Sequence, residues 1–245
     1  MEDLYQRRKY RYPVLFMILW LVAQGSVLPL YAQKPLQGVW MLNVQDTTIQ
    51  VLFQDGYFVE TQYTPETFIL SRGGPVELLG DSLHIFWEFD SQASENVGQS
   101  QAGSFTRQDS TLSLVLGKVT RKFKHIDAGE DALAGVWHIT QRMQDGHLVA
   151  IQHTGTRKTL KILTATHFQW FAIDPGKQTF NGTGGGQYTF KNGVYTEHIN
   201  FFSRDSTRVG ASLQFQGALK DGAWHHQGKS SKGQPIYEVW SKVAQ

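Results

Sequence analysis

Short runs of alternating apolar and polar residues follow one another from residue 33 to the C-terminus. In residues 194–202, one face of the run carries Tyr195, Glu197, Ile199 and Phe201. A period of two is that of a β-strand with two different faces. Turn dipeptides separate the runs, and a glycine-rich stretch at 181–186 is expected to form a further hairpin loop. The turn dipeptides are Asp55-Gly56, Gly73-Gly74, Gly80-Asp81, Asp145-Gly146, Asn192-Gly193 and Asp221-Gly222. The pattern predicts an all-β protein of antiparallel strands.

The chain also repeats itself. Residues 38–40 (Gly-Val-Trp) recur as residues 135–137, and the pairs Gly73-Gly74 and Val97-Gly98 recur 112 residues later. The second unit has about 15 extra residues between its tryptophan and its glycine pair. Two copies of one fold explain this order. Each copy has about eight predicted strands, enough to close a small up-and-down barrel. The predicted domains are residues 35–125 and 133–245, joined by a linker at 126–132.

Residues 1–32 have the composition of a secretory signal peptide. A basic segment, residues 5–11, precedes the apolar run from Val14 to Val22, and Ala32 offers a cleavage position. The apolar run is short for a membrane span, although a retained anchor stays open as an alternative. The sequence therefore predicts an exported protein, in the periplasm or on the outer surface of a Gram-negative bacterium.

Composition excludes several classes of protein. The chain of 245 residues is 13% aromatic, so it can bury a core, and it has no cysteine. Disulfide scaffolds, thiol catalysis and cysteine-held zinc are therefore excluded. Residues 1–32 hold four of the 23 basic and two of the 21 acidic residues, which leaves nineteen of each. This balance argues against nucleic acid as a partner.

The second unit resembles the lipocalins. Its first strand opens with Gly135-Val136-Trp137, and in lipocalins this tryptophan closes one end of the barrel beneath a basic residue of the last strand. The resemblance implies structural roles for Trp40 and Trp137. It also implies that Lys242 is the basic residue of the last strand that covers Trp137. Residues 134–243 are also similar to bacterial lipocalin-like domains of unknown function, common in Bacteroidetes, through the segments 162–170, 184–190, 195–199 and 237–240. The resemblance implies a calycin-type barrel that holds small apolar or amphipathic molecules. No cofactor is predicted.

Comparison of the two copies locates a candidate site in the second. A shift of 112 residues places Leu83 at Tyr195, Ile85 at Glu197, and Leu112 at Trp224. Positions that are aliphatic in the first copy are therefore polar or aromatic in the second. The first barrel is accordingly expected to be a filled structural partner. The ligand-binding residues predicted for the second barrel are His167, Trp170, Tyr195, Glu197, Trp224, His226 and Glu238.

Two alternatives remain open beside ligand binding. Glu197 and His226 could form a general acid–base pair in a lyase, isomerase or hydrolase. The two barrels could instead form a non-catalytic interaction module at the cell surface. A metal site is not predicted, because adjacent His225 and His226 would point to opposite faces of a strand. A plain binding function is favoured over catalysis.

Overall fold

The computed structural model describes residues 36–152, 154–230 and 233–243. The predicted signal peptide lies outside these residues. The described chain consists of β-strands and short 3₁₀ turns, so the predicted all-β class is confirmed. None of the described helical segments is long and apolar enough to cross a membrane.

The first eight long strands close into an antiparallel barrel. The strands of this half are β1 (Gly38–Val44), β2 (Thr47–Gln54), β3 (Tyr57–Tyr63), β4 (Phe68–Leu79), β5 (Ser82–Phe86), β6 (Phe89–Asp90), β7 (Ser100–Gln108), β8 (Thr111–Leu116) and β9 (Val119–Asp127). Their order is β3-β2-β1-β9-β8-β7-β5-β4-β6, and pairing of β3 with β4 closes the ring. The short strand β6 pairs with β4 outside the ring.

The second half repeats this order and adds one hairpin. Its strands are β10 (Gly135–Gln144), β11 (His147–Ala150), β12 (Lys158–Leu163), β13 (His167–Asp174), β14 (Thr179–Lys191), β15 (Val194–Phe202), β16 (Ser212–Lys220), β17 (Ala223–Lys229) and β18 (Pro235–Lys242). Pairing of β10 with β18 closes eight strands into the second barrel. The extra strand β11 pairs with the end of β10 and accounts for the longer spacing after Trp137. The predicted tandem of two closed eight-stranded barrels is confirmed.

Two glycine-rich segments predicted as turns lie inside strands. Gly73 and Gly74 belong to β4, and residues 181–186 belong to β14. A side chain at Gly74 would collide with the carbonyl oxygen of Phe86. These glycines therefore permit a close approach of neighbouring backbone within a bent strand, which composition alone does not distinguish from a turn.

The repeated tryptophans occupy matching places. The Nε1 group of Trp40 donates to the carbonyl oxygen of Leu36 (2.7 Å), and that of Trp137 donates to Leu133 (2.9 Å). Both indole rings are buried. The Nζ of Lys242 lies 5.3 Å from the centroid of the Trp137 ring. In each barrel the buried tryptophan of the first strand is thus hydrogen-bonded to the chain just before that strand.

An apolar layer joins the outer faces of the two barrels. Phe171 is fully buried there, with its ring centroid 5.6 Å from that of Tyr57 and 4.8 Å from that of Phe89. The buried side chains of this layer, named here the junction, are Val39, Leu52, Tyr57, Val59, Phe89, Val136, Leu160, Ile162, Phe171 and Ile173. Removal of this surface from water stabilises the association of the two barrels.

One glutamine of the second barrel, Gln169, forms buried polar contacts with the first barrel. The Oε1 of Gln169 accepts a hydrogen bond from the hydroxyl of Thr61 (2.9 Å). Its Nε2 donates to the hydroxyl oxygens of Ser71 (2.9 Å) and Thr183 (3.0 Å). All four side chains are completely buried. Because buried polar groups are costly unless paired, this network favours one docking geometry of the barrels over others.

Asp127, at the end of β9, ties the first barrel to the β12–β13 turn of the second. Its Oδ2 accepts hydrogen bonds from the Thr164 hydroxyl (2.8 Å) and from the Thr166 backbone N–H (2.9 Å). Its Oδ1 accepts from the backbone N–H of Gly129 (2.9 Å). Burial alone would raise the pKa of Asp127. Hydrogen bonds from His167, Thr166, Thr164 and Gly129 outweigh burial and hold that pKa well below its usual value.

We expect Asp127→Asn to lower the free energy of unfolding at pH 7 by about 1.5–3 kcal/mol, the usual worth of hydrogen bonds to a charged group. Because the folded-state pKa is the lower one, Asp127 stabilises the fold above about pH 4, and this contribution is lost as the pH falls through the folded-state pKa. The urea midpoint of the natural protein should therefore fall more steeply in acid than that of the variant. Glu130→Gln, at an exposed linker position, is the control. It should change neither the free energy of unfolding at pH 7 nor the acid sensitivity of the urea midpoint. Equal acid sensitivity of the natural protein and Asp127→Asn would contradict the assignment.

Candidate functional site

A buried ion pair lies inside the second barrel. Lys161, on β12, and Glu197, on β15, come from different parts of the wall, and the Nζ–Oε1 distance is 2.8 Å. Both side chains are 6% exposed. The hydroxyl of Tyr195 donates to the same Oε1 (3.0 Å). Burial, followed by the charge of Glu197, raises the pKa of Tyr195 well above its usual value, so the phenol stays a donor.

Aromatic rings surround the ammonium group of this pair. The Nζ of Lys161 lies between 5.2 and 5.6 Å from four ring centroids, those of Phe168, Tyr195, Trp224 and Trp240. Ring faces at this distance attract a cation. The ammonium group of Lys161 therefore faces one carboxylate and four aromatic rings.

A second polar pair is adjacent to the first. His226 on β17 and Glu238 on β18 are direct cross-strand partners, and His226 Nδ1 lies 3.5 Å from Glu238 Oε2. Burial lowers the pKa of His226, so the imidazole is neutral at pH 7. Burial would raise the pKa of Glu238, but the contact with His226 and the charge of Lys161 outweigh it and lower that pKa. Glu238 is thus ionised, and the Nε1 group of Trp240 donates to it (3.1 Å).

Three buried nitrogen atoms beside these pairs lack a hydrogen-bond partner among the described residues. They are Nε1 of Trp224 and both ring nitrogens of His226, of which Nδ1 faces Glu238 Oε2 at 3.5 Å. The two rings are neighbours, with centroids 5.1 Å apart, and both residues are buried. An unsatisfied buried donor or acceptor costs about 1–3 kcal/mol. Nε1 of Trp224 and Nε2 of His226 therefore form a place where an additional polar group would be stabilised.

A cleft of about 420 Å³ lies in the wall of the second barrel, between β16 and β17. It lies where β16 and β17 stop pairing, at Phe215 and Gly228. The ring of Phe215 lines the cleft and lies 4.1 Å from the ring of His226, centroid to centroid. Phe215 therefore contacts both the cleft and the imidazole of His226.

The structure brings most of the predicted site residues together. Tyr195, Glu197, Trp224, His226 and Glu238 form one group around Lys161. The remaining two lie elsewhere. His167 is buried against Asp127 at the linker, with Nδ1 2.7 Å from the Thr166 hydroxyl. Trp170 is half-buried against Phe202, with ring centroids 5.4 Å apart.

Sequence analysis missed Lys161. It is the cationic partner of Glu197, and a signal for it was present in the repeat. Trp40 pairs with Val51 across β1 and β2, and Trp137 pairs with Lys161 across β10 and β12. The buried valine of the first copy is therefore replaced by lysine in the second, on the same inward face.

The geometry favours binding over acid–base catalysis. Glu197 Oε1 already accepts from Lys161 and Tyr195, and His226 faces Glu238 rather than Glu197. Glu197 is therefore engaged by two donors of its own barrel and does not face His226, its partner in the predicted acid–base pair. Among the residues described, no group of three histidine, aspartate or glutamate side chains could hold a metal ion.

Comparison of the sequence with protein-family profiles and with curated proteins found no match.

Proposed function

We propose that this chain is an exported lipocalin-like protein, similar to those of Bacteroidetes, that binds a small apolar or amphipathic molecule in its second barrel. The tandem of closed barrels is compatible with a calycin-type binding fold. The observation that carries the proposal is the pair of unsatisfied buried atoms on Trp224 and His226. Such atoms need a partner from outside the chain, and a polar head group could supply it.

The charges around the site favour a head group that donates hydrogen bonds. Lys161 is already paired with Glu197, which leaves Glu238 as the ionised group nearest the neutral His226. A hydroxyl or amine would donate to these acceptors. The apolar body of the ligand would replace water in the cleft beside Leu213 and Phe215. Exclusion of that water stabilises the complex.

The test uses a neutral amphipathic probe, 1-octanol, titrated by calorimetry into the purified protein. We expect His226→Leu to weaken binding about tenfold, because one hydrogen bond of roughly 1–1.5 kcal/mol is lost. The fold should be retained, since the substitution replaces a buried unsatisfied polar group by an apolar one. His225→Leu is the matched control. His225 is the adjacent residue on the opposite face, where it contacts the Tyr237 hydroxyl.

Native mass spectrometry of the protein from its own host supplies the second measurement. A mass that co-purifies with the natural protein and with His225→Leu, but not with His226→Leu, supports the proposal. Equal octanol binding by both variants, or no binding by the natural protein, would reject it.

A further inference from the structure

A cavity of about 140 Å³ lies inside the first barrel, which the sequence predicts to be filled. One side of its wall is apolar and consists of Leu114, Leu116, Val119 and Phe123. The volume is close to that of an engineered apolar cavity of about 150 Å³ that holds benzene. The space therefore suits a molecule with a short apolar body.

The other side of the cavity carries three charged residues. Glu60 is 1% exposed, and its Oε2 accepts from Nη2 (2.8 Å) and Nε (3.2 Å) of Arg72. Its Oε1 accepts from Nη1 of Arg121 (2.7 Å) and from Nε2 of Gln62 (2.7 Å). One buried carboxylate thus orients two guanidinium groups at the cavity wall. The guanidinium of Arg72 is also held 5.0 Å from the centroid of the Trp87 ring.

The three charged residues of the cavity wall, Glu60, Arg72 and Arg121, carry one positive charge in excess. The lining residues include two arginines and one glutamate, so Glu60 can neutralise only one of the two. The arginine side chains stay 23% and 28% exposed, which gives solvent and solutes access to them. Guanidinium groups carry several N–H donors in a planar arrangement that matches a carboxylate.

We propose that the first barrel binds a small monocarboxylate with a short apolar body. The carboxylate would contact Arg72 and Arg121, and the body would lie against Leu114, Leu116 and Phe123. A single negative charge would cancel the excess charge of the cavity. A buried ion pair that also gains hydrogen bonds is the arrangement in which charge burial is favourable.

The second barrel has no such site at the matching positions. Arg121 is the cross-strand partner of Leu114, and at the equivalent place in the second barrel Glu238 is the partner of His226. Trp170 occupies the position of Glu60, two residues beyond the matching pairs Phe58–Gly74 and Phe168–Gly186. The carboxylate site is therefore independent of the ligand proposed for the second barrel.

The test is a calorimetric titration of the full chain with benzoate at low ionic strength, with benzamide as the neutral analogue of the same shape. We expect benzoate to bind and benzamide to bind at least tenfold more weakly. Arg121→Gln should weaken benzoate binding about tenfold or more. Lys122→Gln removes the same charge from the neighbouring exposed position of β9, and it should leave binding unchanged.

Two further variants separate the possible outcomes. If Arg121→Gln does not fold, Arg121→Lys keeps the charge but loses the planar donors, and weaker benzoate binding by that variant supports the proposal. His226→Leu, in the second barrel, should bind benzoate as the natural protein does. That result would place the benzoate-binding site in the first barrel. Equal binding of benzoate and benzamide, equal binding by Arg121→Gln and Lys122→Gln, or no benzoate binding by the natural protein would overturn the proposal.

Discussion

Replacement of Lys161 by methionine is expected to lower the free energy of unfolding by about 3–5 kcal/mol. The substitution removes the positive charge 2.8 Å from Glu197 and leaves that carboxylate buried, with Tyr195 as its remaining hydrogen-bond donor. A buried charge without a counter-charge is among the most destabilising changes that one substitution can make. Urea unfolding at pH 7, followed by tryptophan fluorescence, measures the loss.

Two controls separate charge burial from loss of the lysine side chain. The double variant Lys161→Met and Glu197→Leu removes both charges and should regain most of the stability, or exceed that of the natural protein. Lys158→Met, on the same strand, breaks a pair with Glu88 of nearly equal length, 2.7 Å. Those side chains are 31% and 23% exposed, so the expected loss is at most about 1 kcal/mol. Equal losses for Lys158→Met and Lys161→Met would contradict the assignment.

Truncation of Phe171, at the junction between the barrels, is expected to lower the free energy of unfolding by a similar amount. Phe171→Ala should lower the free energy of unfolding by about 3–5 kcal/mol, because it opens a cavity between the barrels where the ring packs on Tyr57 and Phe89. The barrels share this layer, so the variant should also weaken the coupling of their unfolding. Transitions followed by far-ultraviolet circular dichroism and by fluorescence should coincide for the natural protein and separate for the variant.

Phe86 supplies the control for this experiment. Its side chain is 44% exposed on the first barrel, and Phe86→Ala should change stability by no more than about 0.5 kcal/mol. If Phe171→Ala unfolds in one sharp transition at the natural midpoint, the junction contributes nothing to stability.

The fold could be predicted because its signals are local. Alternation of side chains marks the strands, and dipeptides such as Asp145-Gly146 and Asn192-Gly193 form turns with positive φ at both residues. The spacing of the two Gly-Val-Trp segments located both barrels. Gly73 and Gly74 were misassigned because a glycine that permits close backbone approach looks, in one sequence, like a glycine in a turn.

The candidate site could be predicted only in part, because ion pairs depend on contacts across the barrel. Glu197 stood out on an apolar strand face, but its partner is 36 residues away on another strand. When its partner is unknown, Glu197→Leu is expected to leave the fold intact. Because the structure pairs Glu197 with Lys161, the same substitution leaves a buried cation and should destabilise the protein. The arginines of the first barrel could not be predicted from the comparison of the two copies, because that comparison marks only positions that are polar or aromatic in the second.

The junction also constrains how the two copies are related in space. The first barrel contributes residues of β1, β2, β3 and β6, and the second contributes residues of β10, β12 and β13, which correspond to β1, β2 and β3. Gln169 bonds to both Ser71 and Thr183, which are equivalent positions of the repeat, 112 residues apart. An interface that uses the same face of both partners is isologous, as in a homodimer with two-fold symmetry. The chain thus has the form of a covalently fused dimer, and either half alone would expose the apolar side chains of the junction to water.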